Sequence, residues 1–121
     1  MSRFLLRRVD SGYKFDLFAP NGQTVASSEV YSSRAACRKG VESVRNCAAA
    51  APVEDLTEPG GPVSNPKFQL YRDRAGQFRF RLRSRNGKII AVSEGYQTRS
   101  GCENGIGSVR QNAPAAELEE A

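Results

Sequence analysis

Histidine is absent from this 121-residue chain, and cysteine occurs only three times, with no CxxC pair. Without histidine there is no ordinary base to activate a serine or cysteine nucleophile, and the commonest zinc donor is missing. An odd count, with Cys47 standing apart from Cys37 and Cys102, makes neither a disulfide framework nor a zinc site. Free thiols fit a reducing compartment. No apolar run approaches the roughly 20 residues that cross a bilayer. Phe4-Leu5-Leu6 is too short for the apolar core of a signal peptide, and Arg7-Arg8 follow it rather than precede it. There is no nucleotide loop, metal cluster or catalytic triad pattern. The expectation is a soluble, cytoplasmic protein with no cofactor and no membrane association.

What the chain does have is a second copy of itself. Asn21-Gly22 returns as Asn86-Gly87, and Ser28-Glu29 with Tyr31 as Ser93-Glu94 with Tyr96. Arg34, Cys37 and Gly40 return as Arg99, Cys102 and Gly105, and Ser43-Val44-Arg45 as Ser108-Val109-Arg110. Each pair is offset by 65 positions, and twelve of the twenty-five positions in 21–45 are identical in 86–110. That is an internal duplication. Each copy is marginal alone at about 45 residues, so the halves are expected to share a core. The predicted organisation is a first repeat over 1–50, a Pro/Gly-rich acidic linker over 51–66, a second repeat over 67–113 and an acidic, frayed tail over 114–121. The two repeats together form one globular domain.

Within each repeat the spacing predicts three strands and a helix. Phe4–Val9, Tyr13–Ala19 and Gln23–Val30 read as strands, as do Phe68–Tyr71, Phe78–Ser84 and Lys88–Glu94. Asn21-Gly22 and Asn86-Gly87 predict type I′ hairpins. Ser33 and Thr98 are N-cap candidates for helices running to about Asn46 and Gln111. Cys37, Gly40, Val41, Val44 and Ala48 fall on one narrow apolar stripe. Gly40 and Gly105 suggest close packing of helix against sheet, since glycine costs about 1 kcal/mol in a helix. The fold class is α+β, a tandem duplication of a β-β-β-α unit. It has an antiparallel sheet and one helix per repeat packed on one face. Joining edges into a single six-stranded sheet is the preferred arrangement.

These residues also carry a family resemblance. Gly76, Phe78, Asn86-Gly87, Ser93-Glu94, Tyr96, Gly105-Ile106 and Ser108-Val109-Arg110 resemble the YegP-like family of small uncharacterised proteins, a domain of unknown function. Gly12, Asn21-Gly22, Ser28-Glu29, Tyr31, Gly40-Val41 and Ser43-Val44-Arg45 match it in the first repeat. The resemblance covers roughly 4–48 and 68–113. It implies a β-β-β-α unit used in tandem or as a dimer of single units. It brings no established activity and assigns no functional residue.

The net charge of +5 is uneven. Residues 1–50 carry +4 and 67–112 carry +7, while 51–66 and 113–121 carry −3 each. Alternation in the second repeat places Arg79, Arg81 and Arg83 on the face away from the helix, with Arg85 next. This forms a basic stripe about 20 Å long at ~3.3 Å per residue. It is a candidate anion-binding site whose spacing could suit nucleic-acid phosphates, but no aromatic interleaves to stack bases. A solvated face is the simpler reading. Phe18, Val25, Ile90 and Val92 would be exposed there and are candidate protein contacts. Glu29 and Glu94 are read as partners of Lys14 and Arg79 in cross-strand ion pairs, not as catalytic acids. Tyr31 and Tyr96 are read as packing residues at the helix entry. Arg45 and Arg110 are read as complements to the helix C-termini. Cys37 and Cys102 fall on the buried stripe, and Cys47 is expected near the surface.

The reading that results is a non-catalytic binding or protein-interaction module using the open sheet face or the cleft between repeats. It is taken as a monomer of pseudo-twofold repeats. Its alternative is a polyanion or nucleic-acid binder using the arginine stripe. An enzyme would need a pocket that pairs a polar group with a perturbed carboxylate.

Overall fold

The computed structural model describes residues 1–121. Alternating Phe4 and Leu6 form strand β1 (Arg3–Val9), which turns through Gly12 into the antiparallel β2 (Gly12–Phe18) and on to β3 (Thr24–Ser27). Helix α1 (Arg34–Ala48) follows, and the Ser33 hydroxyl accepts from the Ala36 amide at 3.1 Å as its N-cap. After the short β4 (Val53–Asp55), the order repeats as β5 (Lys67–Arg72), β6 (Phe78–Arg83), β7 (Ile89–Val92) and α2 (Arg99–Asn112). Thr98 caps α2 as predicted. A 3-10 turn (Ala113–Ala115) then leads into β8 (Glu117–Glu120).

The strands join in one eight-stranded sheet, ordered β4-β5-β6-β7-β3-β2-β1-β8. The repeats do join edge to edge, but through more than six strands. The segment read only as a Pro/Gly-rich linker supplies β4, and the tail, expected to fray, supplies β8. Each of these strands crosses to the other repeat. β4 follows the first repeat's helix and lies parallel to β5, and β8 follows the second repeat's helix and lies parallel to β1. Exchange explains why short, charged segments are ordered. Each pairs along a strand that would otherwise be a bare edge, and their own carboxylates discourage further pairing.

The hairpins differ from the type I′ expectation. No residue other than glycine has positive φ. Gly22 and Gly87 have φ 84°, and their amides donate to Ala19 and Ser84 oxygens at 2.9 Å. This is a type I turn closed by a left-handed glycine, which adds one residue to the loop and shifts the register beside it. Phe18 therefore pairs with Thr24, while Val25 is inserted next to Ala26. The bulge turns Val25 and its equivalent Ile90 into the core, 7% and 3% exposed. They are not surface contacts. Val25 faces Gly101, Gly105 and Ser108 of α2, and Ile90 faces Ala36, Gly40 and Ser43 of α1. Each helix thus packs across the seam onto the other repeat's third strand. Only Ser27 and Val92 are registered partners across the β3–β7 seam, so side-chain packing carries much of the join.

Both helices lie on one face, over a cluster of 24 buried residues drawn from both repeats. Its centre is duplicated. Phe15 meets Phe4 edge-on at 5.7 Å and stacks with Tyr31 at 6.3 Å, and Phe80 meets Phe68 at 6.0 Å and Tyr96 at 6.4 Å. Each fully buried phenylalanine contributes about 1.5–3 kcal/mol.

Candidate functional site

The opposite face of the sheet carries no helix. Alternation in β5 and β6 buries Phe68, Leu70, Phe80 and Leu82 beneath the helices, which turns Lys67, Gln69, Tyr71, Arg79, Arg81 and Arg83 outward. Gln69 organises this patch. Its amide nitrogen donates to Glu54 Oε1 at 2.7 Å, and its Oε1 accepts from Arg81 Nε at 2.7 Å and Arg83 Nε at 2.6 Å. Lys67 Nζ lies 2.9 Å from Glu54. Hydrogen bonds from Gln69, Lys67 and the Val63 amide pull the Glu54 carboxyl down to about 2. The Arg81 guanidinium also sits 4.5 Å from the Tyr71 ring centroid.

The predicted stripe is shorter than its sequence. Arg79 pairs with Asp73 at 2.7 Å and reaches the Ser93 oxygen at 3.1 Å, so its charge is matched. Arg85 leaves the face and lines a cavity beside α1. Arg81 and Arg83 remain together with no carboxylate within ion-pair distance. An aromatic does accompany them, Tyr71 from the neighbouring strand. On the first repeat's side, Phe18 is half-buried under Arg3 at 5.0 Å, and Asp16 holds Arg7 at 2.9 Å and the Ser27 hydroxyl at 2.6 Å. Phe18 and Val92 stay half-buried on this face, unlike Val25 and Ile90.

The expected Lys14–Glu29 and Arg79–Glu94 ion pairs do not form. Arg79 finds a closer carboxylate in the β5–β6 turn, and Glu29 and Glu94 project into solvent beyond the strand ends. The repeated Ser-Glu instead works through its serine. Ser28 Oγ accepts from the Phe15 amide at 2.9 Å and donates to the Glu29 carbonyl at 2.7 Å. Ser93 does the same with Phe80 and Glu94, both at 2.8 Å. The hydroxyl completes the ladder where the third strand bends away, a role that no pattern of side-chain polarity announces.

Arg45 and Arg110 reach further than their own helix ends. Each donates at 2.6 Å to a carbonyl of the other repeat's exchanged segment, Arg45 to Ala116 and Arg110 to Ala51. Arg45 also lies 5.5 Å from the Phe4 ring and Arg110 5.4 Å from Phe68. Arg34 and Arg99 complete the duplicated clasp from the helix starts, on Glu120 at 2.8 Å and Asp55 at 3.5 Å. Burial pushes the Cys37 and Cys102 thiols up to about 11. No cluster of carboxylate and thiol side chains gathers to hold a metal ion, and no helix is long and apolar enough to cross a membrane.

With this geometry in hand, comparison with known proteins places the chain. The family model described as "Domain of unknown function (DUF1508)" matches residues 9–55 and again 73–120. The chain belongs to this family. Both DUF1508 matches run through the exchanged strand that follows each helix. A UPF0339 protein of Methanosarcina acetivorans is 58% identical over 52 residues, 43% of this chain and 90% of that protein. The UPF0339 protein YegP of Escherichia coli K12 is 32% identical over 111 residues, 89% of this chain and 86% of YegP. The solution structure of E. coli YegP, described as a protein of unknown function, superposes with a TM-score of 0.81 at 28% identity, covering 98% of this chain and 91% of that one. A UPF0339 protein of Shewanella oneidensis shares the fold at the same TM-score and 22% identity, over 98% and 90% of the two chains.

Proposed function

We propose that the protein is a non-catalytic binding module whose uncovered sheet face receives an acidic segment of a protein partner. The observation that carries this reading is the Arg81–Gln69–Arg83 arrangement. One glutamine oxygen fixes both guanidiniums by their Nε groups, and neither arginine has a carboxylate of its own. The Arg81 terminal nitrogens are left to donate outward. Pre-oriented arginines beside half-buried Tyr71, Val92 and Phe18 match the arginine- and aromatic-rich composition of protein interfaces. The rings favour a protein over single-stranded nucleic acid, because the Arg3 and Arg81 guanidiniums already sit over the Phe18 and Tyr71 rings, where a base would stack. Glu54 and Glu120, both held near 2, act as fixed anions rather than proton carriers at neutral pH.

The test is a titration of isotope-labelled protein with poly-L-glutamate, followed by amide shifts. Shifts should concentrate on β5, β6 and β2, fade as salt is raised, and vanish in R81A/R83A. Shifts absent from this face, or unchanged in the variant, would overturn the proposal. If a single-stranded oligonucleotide shifts these amides and poly-glutamate does not, the face belongs to nucleic acid instead.

A further inference from the structure

On the helix side, a groove runs between α1, from Ala36 to Cys47, and the β6–β7 hairpin of the other repeat. It consists of two adjoining hollows of about 480 and 200 Å³ that share Ser43, Ser84 and Asn86. Lys39, Arg85 and Lys88 line it, and none of the three has a carboxylate within ion-pair distance. Asn46 and the Ser43 hydroxyl also line it and make no hydrogen bond within the protein. Asn86 spends only its oxygen, on the Ser84 hydroxyl and the Lys88 amide, so its amide nitrogen is free to donate. At the floor, the Tyr31 hydroxyl is buried without a partner, in a residue 7% exposed, and Lys88 Nζ sits 5.2 Å from the Tyr31 ring.

The duplication supplies an internal control. The equivalent groove, between α2 and the β2–β3 hairpin, is a hollow of about 230 Å³. The 65-residue offset places Asn104, Pro20 and Gln23 where the first has Lys39, Arg85 and Lys88. The serine and the hairpin asparagine are kept as Ser108 and Asn21. The two grooves share a scaffold, and only one is cationic. Packing of the repeats cannot require those three charges, since the other copy packs without them. A surplus of charge directed at solubility would have no reason to gather along one groove, Arg85 in one hollow and Lys39 and Lys88 in the next.

We propose that the groove between α1 and the β6–β7 hairpin binds a phosphoryl group, as free phosphate or carried on a small phosphorylated molecule. Lys39, Arg85 and Lys88 supply the charge, and Ser43, Asn46 and Asn86 supply directional donors. The groove is distinct from the uncovered face, which lies on the other side of the sheet. The C-terminal end of α1 opposes an anion only weakly, against three cations.

The experiment is an amide-shift titration of the full chain with sodium phosphate, and separately with glycerol 3-phosphate, each matched in ionic strength by sodium chloride. Saturable shifts are expected at Ser43–Cys47 and Ser84–Lys88, with Ala19–Gln23 and Ser108–Asn112 silent. K39A/R85A/K88A changes exposed side chains only and should weaken binding by at least roughly tenfold, since charge-assisted hydrogen bonds are lost. Its unchanged spectrum elsewhere reports that it folds. A response to both ligands assigns the phosphoryl group itself, and a response to glycerol 3-phosphate alone assigns a phosphorylated organic ligand. No saturable shift with either, equal shifts in both grooves, or unchanged affinity in the triple variant would overturn the proposal.

Discussion

Gly40 and Gly105 sit in mid-helix, where glycine is normally a cost, because a side chain there has no room. A Cβ on Gly40 would strike the Tyr31 hydroxyl and lie 2.7 Å from its Cζ and 3.1 Å from Phe15, and one on Gly105 would meet Tyr96 and Phe80 equally closely. The repeated glycine and tyrosine are one device. The ring stacks on the core phenylalanine and slides beneath the helix, and the glycine makes the space. The close approach expected of these glycines is real, but a tyrosine ring fills it rather than the sheet. Gly107 of α2, two residues past Gly105, has nothing within 4 Å of its Cβ position. The same substitution should therefore change sign between these two helix positions. G40A is expected to lower unfolding free energy by about 1–3 kcal/mol through overpacking, and G107A to raise it by about 0.5–1 kcal/mol through helix propensity. Urea unfolding of both variants checks this.

At the scale of elements, the exchanged edge strands are held by charge as well as by ladder bonds. Glu120 of β8 accepts from Arg38 at 2.9 Å twice and from Arg34 at 2.8 Å, and these bonds pull its carboxyl from an ordinary value near 4.5 down to about 2. Glu54 of β4 is lowered to about 2 as well. A depressed folded-state value means that the stabilisation is fully present above about pH 4.5 and is lost as pH falls toward 2. Thermal melts should decline over that window, and E54Q/E120Q should show a shallower decline. An unchanged pH profile in that variant would remove these carboxylates from the account. Periodicity made the six main strands, both helices and both N-caps legible in the sequence. It did not reveal β4 and β8, which are three- and four-residue charged edges with no alternation to read and partners far away in the chain. Nor did it reveal the hairpin bulge. Asn-Gly suits both turn types, and one inserted residue moved Val25 and Ile90 from the predicted outer face to the core. The arginine stripe was legible as a pattern, but its neutralisation at Arg79 depended on a turn carboxylate, and the orienting role of Gln69 on a neighbouring strand.

At the scale of the molecule, the duplication is interlocked rather than merely adjacent. Each repeat lends an edge strand to the other, each helix covers the other's third strand, and Arg45 and Arg110 tie each helix to the strand it receives. The halves should therefore have no independent stability, and the uncovered face and the cationic groove exist only when both are folded. Native-state hydrogen exchange of the intact chain tests this most directly, by comparing the slowest amides of β2 with those of β6 across a urea series. The account predicts one shared opening free energy and one urea dependence for the two strands, as expected of a single cooperative unit. Two separate levels, with one repeat opening while the other stays protected, would contradict it.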